Sequence, residues 1–372
     1  MQLGMNGRAL TVTFVVATAT VVGCQQLVSK GDPATDGAPQ GDATAYLQSR
    51  IDALHPGDTL KLDIATYSHG GVIKIQTPGI RIDGNGATLQ ATNDATSSIQ
   101  ILADNVELTN ITLAAPPTGP RMDNLDQQKL VIAGNHDTIS SVNISGSAAA
   151  GVFVNGAQNF TIKNVNVANT RADGVHVTAS AGYGVVDNVR TDHTGDDGIA
   201  VVSYSDGPPC HDIVESNLVV ASSAARGIAV VGGTNVTVRD FTSSDSGAAG
   251  IYIATEGAPY FTRSVDHVNV SNGSISTANR DATIVHGAIL ITADNPGTTI
   301  SGVTISDVNI AGTAQVAERN VAVLDDGGAV KDVTLSSIRV DSSALPALVG
   351  DIDPGKVKAT GWTVAGVRTS VN

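Results

Sequence analysis

Two aspartates stand side by side at Asp196 and Asp197, flanked by Gly195 and Gly198 and running straight into the apolar stretch Ile199-Ala200-Val201-Val202. Like charges at adjacent positions are unfavourable, and a turn needs only one of them. A carboxylate pair is useful where one group must hold a proton while its neighbour stays ionised, or where a cation is bound. Asp173-Gly174 leads into a similar apolar stretch, Val175-His176-Val177, 24 residues earlier. Asp-Gly is also a common turn dipeptide, and the chain repeats it at Asp83-Gly84, Asp206-Gly207 and Asp326-Gly327. What sets Asp173, Asp196 and Asp197 apart is that the chain's period places them together.

That period is legible in strand openings. Gly151-Val152-Phe153-Val154, Gly174-Val175-His176-Val177, Gly198-Ile199-Ala200-Val201, Gly227-Ile228-Ala229-Val230, Gly250-Ile251-Tyr252-Ile253 and Gly287-Ala288-Ile289-Leu290 follow one another. Their glycines are 23, 24, 29, 23 and 37 residues apart. A repeat near 23 is one three-sided coil of a β-solenoid, and the longer intervals are coils carrying an inserted loop. Between these openings lie second strands such as Phe160–Val167, Val185–Val189 and Asn235–Arg239. Asn164, Asn188, Asn217 and Asp240 recur at like positions, where stacked side chains would satisfy buried turn backbone.

In a parallel coil the residues preceding each opening glycine stack at about 4.8 Å per rung. The column reads Ala150, Asp173, Asp197, Arg226, Ala249, His286. Asp173 and Asp197 thereby become neighbours, with Asp196 beside them and Arg226 one rung on. Tyr252 and Glu256 belong to the following coil. His176 lies on the strand after Asp173, on a face that alternation alone does not decide. His193, Tyr204 and His286 complete the candidate binding set. The loops Ser203–His211 and Thr255–His286 leave the adjoining coils and would wall a groove. Aromatics are only 3% of the chain, and Tyr204, Tyr252, Tyr260 and Phe261 are those near the proposed rungs.

The scaffold predicted around this column is a single all-β domain over residues 42–372. A helix from Asp42 to Leu54, with Asp42 as N-cap and Pro56 beyond its end, would cover the open apolar end of the first coil. The short strands after it run through 56–62, 71–75 and 79–84. Strands at Asn320–Val323 and Val333–Leu335 continue the coil, and Leu345–Asn372, with Trp362, reads as the opposite end cap. A net charge of -14 disfavours nucleic acid and anionic membranes as partners. The N-terminus carries Arg8, an apolar run to Gly23 and Cys24. It has the layout of an export signal over residues 1–24, and Val21-Val22-Gly23-Cys24 resembles a lipobox, whose cysteine is lipidated. Residues 25–41 then read as a flexible tether. The protein is thus expected outside the cytoplasm, either lipid-anchored through Cys24 at a bacterial surface or secreted. Cys210 is left without an intrachain disulfide partner and reads as a packing residue.

A helix leading into short glycine-punctuated strands resembles the secreted right-handed parallel β-helix proteins of the pectate-lyase-like superfamily. Gly195-Asp196-Asp197-Gly198-Ile199-Ala200-Val201 resembles the Gly-Asp-Asp turn and strand of polygalacturonase-type glycoside hydrolases. Arg171-Ala172-Asp173-Gly174 matches only the Asp-Gly of that family's preceding turn. Ala225-Arg226-Gly227 has arginine where the family has the histidine of Gly-His-Gly, and no Arg-Ile-Lys follows. The resemblance therefore implies a related but distinct family.

It also implies hydrolysis of glycosidic bonds with inversion and without a cofactor. Asp197 would be the general acid and Asp173 with Asp196 the base pair. Arg226, His176, His193, Tyr204, Tyr252, Glu256 and His286 would hold a polysaccharide or oligosaccharide. Two other readings stay open. A polysaccharide lyase or C5-epimerase would use the three aspartates to hold Ca²⁺ and Arg226 as base. A β-helix without catalysis would bind glycan at a cell surface, which the scarcity of aromatics favours slightly.

Overall fold

The computed structural model describes residues 38–350 and 353–371. The export signal, Cys24 and all but the last four residues of the tether lie outside them. Among the described residues no helix is long and apolar enough to cross a membrane.

The chain winds into a parallel β-helix. Among the described residues eleven short strands stack into one sheet, and strands with a bend in their middle form the rest of the wall. The short strands pair in parallel and in register along the column Val152, Val175, Ile199, Ile228, Ile251. These residues and those two further along, Val154 to Ile253, point inward and are buried. Val and Ile suit this position because a β-branched side chain packs on a pleated surface at little rotamer cost. One continuous core results, and a strand slipped by one residue would turn its core side chains outward. Gly174 and Gly198 begin two of these strands because nothing larger fits. A Cβ on Gly174 would lie 2.5 Å from the Gly198 carbonyl oxygen, and one on Gly198 would lie 2.6 Å from that of Gly227.

The long strands bend near their middle at a residue in the left-handed conformation. Asn164, Asn188, Asn217 and Asp240 have φ of 54°, 52°, 54° and 56°. They occupy equivalent places, as expected, but for a different reason. Asn and Asp accept positive φ more readily than other non-glycine residues, and here they turn one leg of the coil into the next. Asn164, Asn188 and Asn217 are exposed rather than serving buried turns. Their side chains bond along the stack, Asn188 Nδ2 donating to Asn164 Oδ1 at 2.7 Å and Asn217 Nδ2 to Asp187 Oδ1 at 2.7 Å.

Three further expectations are adjusted. The helix runs Thr44–Asp52, with Ala43 at the N-cap, while Asp42 accepts the Thr44 amide from one position outside it. Its buried face is Leu47 and Ile51, which join the core beside Ile73 and close the first coil. The C-terminal segment is mostly another coil: Leu348–Gly350 pairs in parallel with Val321–Leu324, and Val357–Thr360 with Val333–Ser336. Only the antiparallel hairpin of Trp362–Val364 with Val367–Thr369 departs from the repeat, and it buries Trp362. Lastly, Ile289 pairs with Ile251, so Ala288 rather than Gly287 is the partner of Gly250. His286 is thereby displaced one residue from the Asp197–Arg226 column.

Candidate active site

The column before the strand openings holds as expected across Ala150, Asp173, Asp197, Arg226 and Ala249, and its next member down is Gln128. Parallel pairing makes each backbone amide in it available to the side chain one rung below. Asp173 Oδ1 accepts the Asp197 amide at 2.9 Å, and Asp197 Oδ1 accepts the Arg226 amide at 2.8 Å. Asp173 and Asp197 are buried, whereas Asp196 is only partly covered.

Their surroundings push the two buried carboxyls in opposite directions. Burial raises the pKa of Asp197 well above the ordinary carboxylate value, Arg226 opposes it, and the charges of Asp173 and Asp196 add to it. Burial would raise Asp173 too, but the hydrogen bond and charge of His176, the Asp197 amide and Arg121 outweigh it and hold Asp173 below the usual range. His176 Nδ1 lies 2.5 Å from Asp173 Oδ2. On Asp197, Oδ1 faces Arg226 while Oδ2 makes no hydrogen bond among the described residues, which leaves Oδ2 for the proton.

Arg226 organises the upper side. Its Nε lies 3.1 Å from Asp197 Oδ1, an ion pair without hydrogen-bond alignment. Its Nη2 bonds Glu256 Oε1 at 3.3 Å, which also accepts the Tyr252 hydroxyl at 3.2 Å. The guanidinium sits 4.7 Å over the Tyr252 ring, a cation–π placement, and His286 stacks on Tyr252 at 5.4 Å. Burial disfavours the charge, but Asp197 and Glu256 more than restore it, so Arg226 holds its proton more tightly than a free arginine. That is unsuited to a base.

Two adjoining cavities open here. The smaller, about 140 Å³, is lined by Asp173, Asp196, Asp197, Arg226, Glu256 and Tyr204, among others. The larger, about 510 Å³, extends toward lower-numbered coils along Phe153, Gln128, Met122 and Asp123. Asp173, His176, Tyr204, Tyr260 and Arg121 line both.

Residues 79–265 match the family described as a right handed beta helix region. The chain belongs to that family. Solved structures share the fold at low identity. The catalytic domain of a GH87 alpha-1,3-glucanase in complex with nigerose is 16% identical at a TM-score of 0.65, over 90% of this chain and 70% of that one. The catalytic unit of a GH87 alpha-1,3-glucanase from Streptomyces thermodiastaticus is 18% identical at 0.63, over 90% and 68%. A polygalacturonase from Erwinia carotovora ssp. carotovora is 17% identical at 0.65, over 87% and 95%. No curated protein matches the chain in sequence.

Within this β-helix the site gathers most, though not all, of the residues expected from the sequence. Asp173, Asp196, Asp197, His176, Tyr204, Arg226 and Glu256 line the cavities. Tyr252 and His286 stand behind Arg226 and Glu256. His193 does not take part: it occupies a left-handed bend, points outward with its side chain 68% exposed, and pairs with Asp192 at 2.9 Å. The expected loop Thr255–His286 is divided by the strand Val265–Ser276, so only its first part, carrying Tyr260, reaches the cleft.

The opposite wall went unseen in the sequence. It is the segment 116–128, whose Arg121 Nη1 meets Asp196 Oδ2 at 2.5 Å. Arg171 fixes this segment, donating to the carbonyls of Pro116, Thr118 and Pro120 while paired with Asp94. Phe153 was findable, since it is the register partner of His176 and stacks on it at 5.1 Å.

The three aspartates each offer an oxygen within 4.8 Å of the others, as a cation site requires. Calcium, however, takes about six to eight oxygen ligands. Here Asp196 is held by Arg121, Asp197 by Arg226, and both oxygens of Asp173 are engaged. Two guanidinium groups in direct contact with the carboxylates occupy the place of a cation, and the residues do not fit a calcium site.

Proposed function

We propose that this protein hydrolyses glycosidic bonds of a polysaccharide. Asp197 donates its proton to the departing glycosidic oxygen, and Asp173 with Asp196 forms the basic side that activates water. The observation that carries this reading is the pair of buried carboxyls one rung apart whose surroundings push them in opposite directions, burial favouring the proton on Asp197 while His176 and the Asp197 amide favour the charged form of Asp173. As Asp197 loses its proton, Arg226 is already in place to stabilise the new charge, with no reorganisation needed. The structurally similar glucanase and polygalacturonase support a carbohydrate substrate.

The cleft favours an uncharged glycan over a uronate. Arg121 is matched by Asp196 and Asp123, and Arg226 by Asp197 and Glu256, so a substrate carboxylate would meet no spare guanidinium and several like charges. Inversion remains the stereochemistry proposed from the family resemblance. It stands against three carboxylates whose oxygens come within 4.8 Å of one another, where inverting enzymes place the two carboxyl groups about 6.5–9.5 Å apart. The anomeric configuration of the first product decides it. Export through the N-terminal signal, with a lipid on Cys24 or with full secretion, would bring the enzyme to extracellular or envelope glycans.

The test is incubation with neutral and acidic polysaccharides, including α-1,3-glucan, polygalacturonate and bacterial envelope glycans, with and without chelator. New reducing ends that form equally with chelator are expected. Unsaturated, ultraviolet-absorbing products that require a metal would replace this reading with a lyase. Binding without turnover of any glycan would leave a non-catalytic surface protein.

A further inference from the structure

Asp173 is an awkward base. It is buried, one oxygen is occupied by the Asp197 amide, and the other lies 2.5 Å from His176 Nδ1. His176 is differently placed. It sits on the outward face of the strand Val175–Thr178, between inward-facing Val175 and Val177. Phe153 lies parallel to its ring at 5.1 Å, with the planes 2° apart, and Tyr204 approaches from the other side at 6.5 Å. With Nδ1 committed to Asp173, Nε2 makes no hydrogen bond among the described residues, and the side chain borders both cavities.

A buried carboxylate behind one ring nitrogen, with the other facing the reaction space, is the arrangement by which an aspartate fixes the tautomer of a catalytic histidine. Resting on the hydrolase reading above, we infer that His176 is a catalytic residue, its Nε2 accepting the proton of the attacking water while Asp173 orients it. The water oxygen forms its bond to the anomeric carbon as its proton passes to Nε2. The bond from that carbon to the glycosidic oxygen breaks, and the leaving oxygen takes the proton of Asp197. The imidazolium is stabilised by Asp173 and returns its proton to solvent, while Asp197 is reprotonated. This account explains why a histidine follows Asp173 here and why Asp173 is held ionised.

The experiment uses the full chain acting on whichever glycan the unaltered protein cleaves. In His176→Asn the amide nitrogen replaces Nδ1 and still donates to Asp173, but no base remains at Nε2. A fall in kcat of about 10²–10⁴-fold is expected, the usual contribution of a general base. In His176→Ala, added imidazole should restore activity at least about tenfold, the rescue being general base catalysis from solution. Far-ultraviolet circular dichroism on both variants checks the fold. His176→Asn within about threefold of the unaltered enzyme would make His176 only a positioning residue for Asp173 and overturn the inference. So would a loss in His176→Ala that imidazole leaves unrepaired, or that formate repairs instead. Failure of the unaltered protein to cleave any glycan would defeat the hydrolase reading itself, a result distinguishable from all of these.

Discussion

Asp197 and Glu215 are both buried carboxyls on neighbouring coils, yet the molecule treats them differently. Asp197 lies on the outer side of the short-strand sheet with Arg226, Asp173 and Asp196 around it. Glu215 points into the core, register partner of Val186 and Val238, and neither of its oxygens has a hydrogen-bond partner among the described residues. Burial alone raises its pKa to about 8. Burial is therefore no indicator of function by itself. A raised carboxyl becomes useful where it faces a cavity and a fixed cation waits for the charge it will develop. Where only apolar side chains surround it, the raised pKa is a cost to stability.

The comparison breaks if removing the Asp197 carboxyl leaves activity intact. Asp197→Asn keeps the shape and the hydrogen-bonding oxygen but cannot give a proton, so a fall in kcat of about 10²–10⁴-fold is expected with little change in Tm. The pH profile of the unaltered enzyme should be a bell. The alkaline limb reflects loss of the Asp197 proton and lies above the ordinary carboxylate range. The acid limb reflects protonation of the basic side, the hydrogen-bonded pair of His176 and Asp173.

Glu215 should show the complementary behaviour, in stability rather than rate. Its folded pKa, about 8, exceeds the ordinary 4.5, so the unfolded chain releases this proton first as pH rises. Its contribution is fully present below pH ~4.5 and is lost progressively up to pH ~8, on the order of 5 kcal/mol in all. Denaturant unfolding at pH 5 and pH 8.5 should reveal that slope, and Glu215→Leu should flatten it. The variant should also be about 1–4 kcal/mol more stable at the higher pH, as when a buried charge is replaced by a packed apolar group. Its glycan cleavage should be unaltered. An unchanged slope in Glu215→Leu would mean the core accommodates this charge after all.

Arg226→Met sharpens the same contrast from the cation's side, because it makes Asp197 more like Glu215. Without the guanidinium, Asp197 should hold its proton to higher pH, moving the alkaline limb upward. The developing charge loses its stabiliser, and kcat should drop about 10–100-fold, less than in Asp197→Asn because the proton donor survives. An alkaline limb that stays in place would show that Arg226 and Asp197 are not coupled.

The column of strand-opening residues was readable in sequence because parallel coils convert a period into adjacency. Asp173, Asp197 and Arg226 could be stacked by counting from glycine to glycine. The count failed where that punctuation changed. Before Leu130 the chain reads Gln127-Gln128-Lys129, with no glycine to mark the rung, so Gln128 and the wall bearing Arg121 were not placed. Gly287 misled in the other direction: it has φ of 93° and lies one residue short of the opening position, which shifted His286 out of line. Contacts that depend on where a loop folds back, such as Arg171 gripping the carbonyls of 116–120, leave no periodic trace.

His193 gives the smallest expected effect and tests the logic of the column most directly. It lies four residues from Asp197 in sequence, close enough to suggest participation. It nevertheless sits before the turn, at a left-handed bend between two faces of the coil, and its ring turns outward to Asp192. An exposed pair of this kind contributes about 0–1 kcal/mol. His193→Ala should therefore leave kcat/KM within about twofold of the unaltered enzyme and Tm nearly unmoved, because proximity in the chain matters less here than membership of a rung. A drop of tenfold or more would mean that the glycan leaves the cleft around this corner and touches the bend, and the site would then have to be redrawn to include a second face of the coil.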